Sequence, residues 1–117
     1  MWEIEFYESP TGECPTLDFL NSLHKKDELP YVRRKLDLLE NHGNLLQRPH
    51  ADYLEDGIYE LRIHVIRKQI RLLYFFFGQS MIVISHGLRK EDKVPQAEID
   101  KAKRHKAEYL STHGKKK

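Results

Sequence analysis

The stretch Ile58–Lys93, IYELRIHVIRKQIRLLYFFFGQSMIVISHGLRKEDK, constrains the chain most, because it holds the strongest strand signals and the densest set of cations. Three runs in it, Ile58–His64, Gln69–Phe77 and Ser80–Leu88, are rich in the β-branched and aromatic residues that suit a pleated, half-buried surface, so three consecutive strands are predicted. Gly78-Gln79 fits a two-residue type II′ turn, whose first central position takes φ > 0. That turn sets Phe77 opposite Ser80 and Arg71 opposite His86. A four-residue loop over Val65–Lys68 sets His64 opposite Gln69 and Arg62 opposite Arg71. Arg62, Arg71 and His86 then share one row and, with strands about 4.8 Å apart, span roughly 10 Å, which suits one phosphate and its flanking atoms.

Two arginines directly opposed across a ladder repel by up to about 1 kcal/mol, so the row requires an anion. Glu60 is the internal candidate. With it, the plainer account is a pair of solvated strand arginines and a bystander histidine. On the face of this row Leu73, Phe75, Phe77, Ile82 and Ile84 gather towards Gly78, which implies a half-covered face with a groove at its polar end. The opposite face, with Tyr59, Leu61, Ile63, Ile70, Leu72, Tyr74, Phe76, Met81 and Val83, is predicted to be the main core beneath helices.

At 117 residues the chain suits one domain. Its net charge of +2 is unevenly spread: Glu60–Lys93 holds seven Lys or Arg against three acids, and the remainder thirteen against fifteen. A basic face on a slightly acidic scaffold suits a polyanion, although a salt-bridged surface without a ligand is also common. No apolar run approaches the ~20 residues of a membrane span, and MWEIEFYESP has no cationic region leading into an apolar one. A cytoplasmic protein with no membrane partner is expected. Cys14 alone excludes an internal disulfide and, with dispersed histidines, offers no zinc pattern, so neither metal nor cofactor is expected.

Elsewhere, Trp2–Tyr7 alternates as an opening strand, with Trp2, Ile4 and Phe6 on one face. Thr16 or Asp18 is placed to cap a short helix carrying Phe19, Leu20 and Leu23. Pro30 suits the first turn of a second helix with apolar Val32, Leu36 and Leu39, and Gly43 suits its end. Residues 44–56 are expected to form a connecting segment, in which His50, like His42, is a surface residue. A last helix runs from Pro95 to about Leu110.

The order β-α-α-β-β-β-α, with Glu60-Leu61-Arg62, then Arg71-Leu72-Leu73-Tyr74, then His86-Gly87 and a basic loop to Pro95, resembles the HigB-like branch of the RelE toxin superfamily, including its phage-derived relatives. The resemblance covers nearly the whole chain. It implies a small α+β, RelE-like fold: a mostly antiparallel twisted sheet, two N-terminal helices on one face and a C-terminal helix, in a single domain over residues 1–110 with a basic, disordered tail over 111–117. It also implies the toxin of a type II toxin–antitoxin pair, a metal-independent endoribonuclease that cuts mRNA on the translating ribosome and arrests growth. The implied partners are mRNA, the ribosome and a cognate antitoxin with a helix-turn-helix, operator DNA being met only through the antitoxin.

In such chemistry the ribose 2′-OH attacks the adjacent phosphorus. Arg62 and Arg71 would hold the phosphate and its developing charge, His86 would move a proton, and Arg89, Lys90, Lys93, Arg67 and Lys68 would hold flanking RNA. Tyr74 matches a family position but alternates onto the core face, which favours packing. Two departures leave the general base open: no lysine lies between Ile58 and His64, and Ser85 precedes His86 where an aromatic or acidic neighbour could stand. The alternative is a non-catalytic RNA- or ribosome-binding protein, or one that docks a partner.

Overall fold

The computed structural model describes residues 1–90 and 92–114. In chain order these form strand β1 (Glu3–Phe6), helices α1 (Pro15–Asn21) and α2 (Leu29–His42), a 3-10 turn at Gly43–Leu45, strands β2 (Ala51–Glu55), β3 (Ile58–Val65), β4 (Lys68–Phe77) and β5 (Met81–Arg89), and helix α3 (Gln96–His113). The five strands make one sheet in the order β1-β5-β4-β3-β2, antiparallel throughout except that β1 lies parallel to β5. This is the expected α+β class, with three helices, a mostly antiparallel sheet and an element order consistent with a small RelE-like fold.

The sheet is covered on both faces. On one, Val32 and Leu39 of α2 and Phe19 and Leu20 of α1 pack on Leu61, Ile63, Ile70, Leu72, Ile82 and Ile84. On the other, Val94, Ile99, Ala102 and Tyr109 cover Ile58, Leu73, Phe75, Phe77 and Val83. The half-covered face expected around Leu73 is therefore closed by α3, whose apolar stripe is narrow but matches the strands beneath it. Gly87 of β5 lets α1 approach, since a Cβ there would lie 2.4 Å from the Phe19 ring.

Three expectations change. The segment 44–56 contains β2, paired antiparallel with β3 through the Asp56-Gly57 turn, both of whose residues have positive φ. That is the geometry a tight Asp-Gly hairpin selects. The loop between β3 and β4 is only Ile66-Arg67, yet Arg62 still faces Arg71, because shortening a loop symmetrically from both sides preserves register. The β4–β5 connection is three residues long, with Phe77 opposite Met81, and Ser85 is bulged out between the Tyr74–Ile84 and Leu73–His86 pairs. Arg71 consequently faces Leu88, and the row of Arg62, Arg71 and His86 does not form. The one-residue change at the turn also exchanges Ile82 and Ile84 with Met81 and Val83 between faces, as side-chain alternation demands.

At the C-terminus α3 continues through Ser111–His113, so the first residues assigned to a tail are helical; Lys115–Lys117 lie outside the described residues.

Candidate nucleic-acid interface

Arg62 and Arg71 are directly opposed on β3 and β4, and one carboxylate answers both. Glu60, two residues before Arg62 on the same face, accepts from Arg62 Nε at 3.0 Å and from an Arg71 terminal nitrogen at 3.1 Å. Asp52 of β2 adds a 3.3 Å ion pair to Arg62. Glu60 is thus the internal anion that the opposed arginines require, and β2 supplies a second one.

Arg71 is 6% exposed. It also donates to Gln69 Oε1 at 2.5 Å and to the Asp92 carbonyl at 3.3 Å, while its Nε has no partner among the described residues. Arg62 is the more open of the pair, with 37% of its side chain exposed. Both line a cleft of about 370 Å³, together with Lys35, His64 and Gln69.

A second cleft of about 420 Å³ shares Gln69 and is lined by Arg67, Lys68, Arg89 and Lys90, with Asp92 on its wall. Four of the five cations expected to hold flanking RNA are brought together here, at the tip of the β3–β4 hairpin and the end of β5. Lys93 is exposed and does not line it. Arg89 is partly committed to Glu28, donating to its two oxygens at 2.9 and 3.3 Å. The Arg89 guanidinium holds the buried Glu28 carboxyl down at about 2, against the penalty of burial, and Lys68 lies 3.6 Å away. Glu28 therefore anchors the α1–α2 connection to the basic end of the sheet.

Behind the first cleft, Lys35 of α2 meets His50, Nζ to Nδ1, at 2.6 Å. Backbone bonding fixes the histidine, because Arg62 N–H donates to the His50 carbonyl at 2.8 Å. Burial pulls the Lys35 ammonium below its ordinary value; burial and the neighbouring Lys35 charge do the same to His50. His50 is thus no isolated surface residue. Nothing in sequence spacing marks the pair, because it joins a helix to a loop fifteen residues later.

His86 lies elsewhere, buried under α3. Its Nε2 meets Glu98 Oε1 at 2.9 Å, its Nδ1 meets Ser85 Oγ at 2.8 Å, and Ser85 Oγ meets His105 Nδ1 at 2.7 Å. With both rings neutral, one proton arrangement satisfies every contact: His86 donates from Nε2 to Glu98, Ser85 donates to His86, and His105 donates to Ser85. Burial, partly offset by Glu98, lowers His86, and burial with repulsion from His86 pushes His105 down to about 4. Tyr7 stacks on His105 at 4.0 Å. The bulge that displaces His86 from Arg71 is what turns Ser85 towards this network. Tyr74 is 1% exposed and packs with Tyr59 and Phe76, as its alternation predicts.

Two comparisons bear on identity. The family model described as Phage derived protein Gp49-like (DUF891) matches residues 18–107, which is 90 of the 117 residues. No curated protein matches the chain.

Proposed function

Because the chain belongs to the Gp49-like phage-derived family, which is related to the RelE/HigB-like toxins of toxin–antitoxin pairs, we propose that it is an endoribonuclease toxin that cuts mRNA on the ribosome without a metal ion. The observation that carries this reading is the cleft at Arg62 and Arg71. Two guanidiniums are held side by side by Glu60, and Arg71, nearly buried, has an Nε without a partner among the described residues. Planar forks fixed in this way suit the oxygens of a phosphodiester and the extra negative charge that develops as the 2′-oxygen attacks.

The adjoining cleft of Arg67, Lys68, Arg89 and Lys90 would track the flanking backbone, and the exposed Lys93, which does not line it, would meet RNA outside it. An antitoxin would silence the protein by covering these clefts, and an acidic segment fits them best. In this reading His86 holds α3 on the sheet, and proton transfer falls to another group. The carboxylates favour one competing account: Glu60 and Asp52 already neutralise Arg62 and Arg71, which suits a protein that binds RNA or a partner without cutting.

Controlled expression followed by primer-extension mapping of transcripts separates the two. Cuts within coding regions, lost in Arg62→Ala, are expected. Arrested translation with intact transcripts would leave only the binding account.

A further inference from the structure

Among the side chains lining the Arg62–Arg71 cleft, few can exchange a proton at an accessible pH. Arginine stays charged, so Arg62 and Arg71 can grip a phosphate but cannot take a proton from ribose. His64 is exposed on the rim, and Gln69 does not titrate. Lys35 remains. It reaches the cleft from α2, is partly buried, and among the described residues has a neutral-capable imidazole as its partner instead of a carboxylate.

We propose that Lys35 is the proton-transfer group of this cleft and that His50 positions it. The inference rests on the ribonuclease reading and supplies the base that the strands lack. Neutral Lys35 Nζ accepts the 2′-OH proton while donating one N–H to His50 Nδ1. The 2′-oxygen bonds to phosphorus, the bond from phosphorus to the 5′-oxygen breaks with its electron pair, and that oxygen takes a proton from water. The products are a 2′,3′-cyclic phosphate and a 5′-hydroxyl, and Lys35 returns its proton to solvent.

The surroundings of the amine favour its neutral form. Burial disfavours the ammonium, and among the described residues no carboxylate lies within ion-pair distance of Lys35. Glu60 and Asp52, the acids beside Arg62 and Arg71, are engaged with those arginines. Burial also lowers His50, which favours the neutral ring and keeps its Nδ1 lone pair available to orient Lys35.

The test is single-turnover cleavage of a labelled messenger on programmed ribosomes, with ribosome binding measured in parallel at fixed salt. Lys35→Arg puts a permanently protonated group there that cannot accept a proton, so cleavage should fall by roughly 10² to 10⁴ with binding almost unchanged. In a Cys14→Ser background, Lys35→Cys alkylated with bromoethylamine should recover cleavage with its pH–rate inflection moved down, following the less basic amine. His50→Asn, which presents an acceptor where Nδ1 stood, should retain cleavage, and His50→Leu should lose it. If the parent protein cuts and Lys35→Arg cuts within about threefold of it, a barrier change near 0.65 kcal/mol, Lys35 is not the base and the ribonuclease reading stands. If the parent leaves the messenger intact under every condition, the ribonuclease reading falls and the assignment of Lys35 falls with it.

Discussion

At the scale of single residues, Glu60 decides what Arg62 and Arg71 can be. Removing Arg71 would leave a buried carboxylate with Arg62 as its main partner, and breaking a buried pair from one side costs on the order of 3 kcal/mol. Arg71→Met should therefore lower stability by about that much, read as a shift in the urea midpoint, whereas Arg67→Ala, in an exposed turn, should stay within about 0.5 kcal/mol. The double change Glu60→Leu, Arg71→Met should cost less than Arg71→Met alone, because the orphaned charge goes with its partner. An additive result would mean that Glu60 and Arg71 are not coupled. Activity measurements on Arg71 variants need this correction for folded fraction, which makes Arg62, more exposed and less embedded, the cleaner probe of phosphate binding.

At the scale of elements, the seam between β5 and α3 depends on two neutral histidines. His105 titrates at about 4 in the fold against an ordinary value of 6.5. Between those values the unfolded chain binds more protons, so the stability is fully present above about 6.5 and is lost as pH falls towards 4. The urea midpoint should fall through that window, and His105→Phe, which keeps an aromatic stack on Tyr7, should flatten the dependence. A midpoint independent of pH would show that the network does not set acid stability. Ser85→Ala leaves the His105 N–H and His86 Nδ1 unsatisfied and should cost about 1 to 3 kcal/mol. His86→Gln should lower the melting temperature while cleavage per folded molecule stays within about threefold of the parent; a large loss of cleavage in fully folded protein would return His86 to the chemistry.

At the scale of the whole molecule, both faces of the sheet are closed by helices, and the open end carries two adjoining clefts with shared Gln69. The charge balance of the chain is modest, but the fold gathers Arg67, Lys68, Arg89 and Lys90 at one place. Affinity for RNA or ribosomes should fall steeply with salt. Lys90→Ala should reduce the slope of log affinity against log salt by roughly 0.7 if Lys90 neutralises one phosphate of a single strand. Arg89→Ala should change the slope less, because its charge is already shared with Glu28, and should cost stability instead. Equal slopes for Lys90→Ala and the parent would remove Lys90 from the interface.

Local sequence by itself determined both helices at the N-terminus, the three long strands and the Arg62–Arg71 pairing, because alternation, prolines and a symmetric loop act over a few residues; the fold class followed from the family resemblance. It missed β2 for a correctable reason: Asp56-Gly57 is a hairpin signal, but Ala51–Glu55 is too polar for its alternation to stand out. Tertiary structure alone decided the position of His86. A three-residue turn and a bulge at Ser85 each shift register by one, and the net displacement carries the histidine from the arginine row to the underside of α3. Packing likewise decided that Lys35 and His50 meet at the cleft and that Glu28, far away in sequence, anchors Arg89. Such contacts join elements whose separation is set by core burial and sheet order, and no periodicity within one segment encodes them.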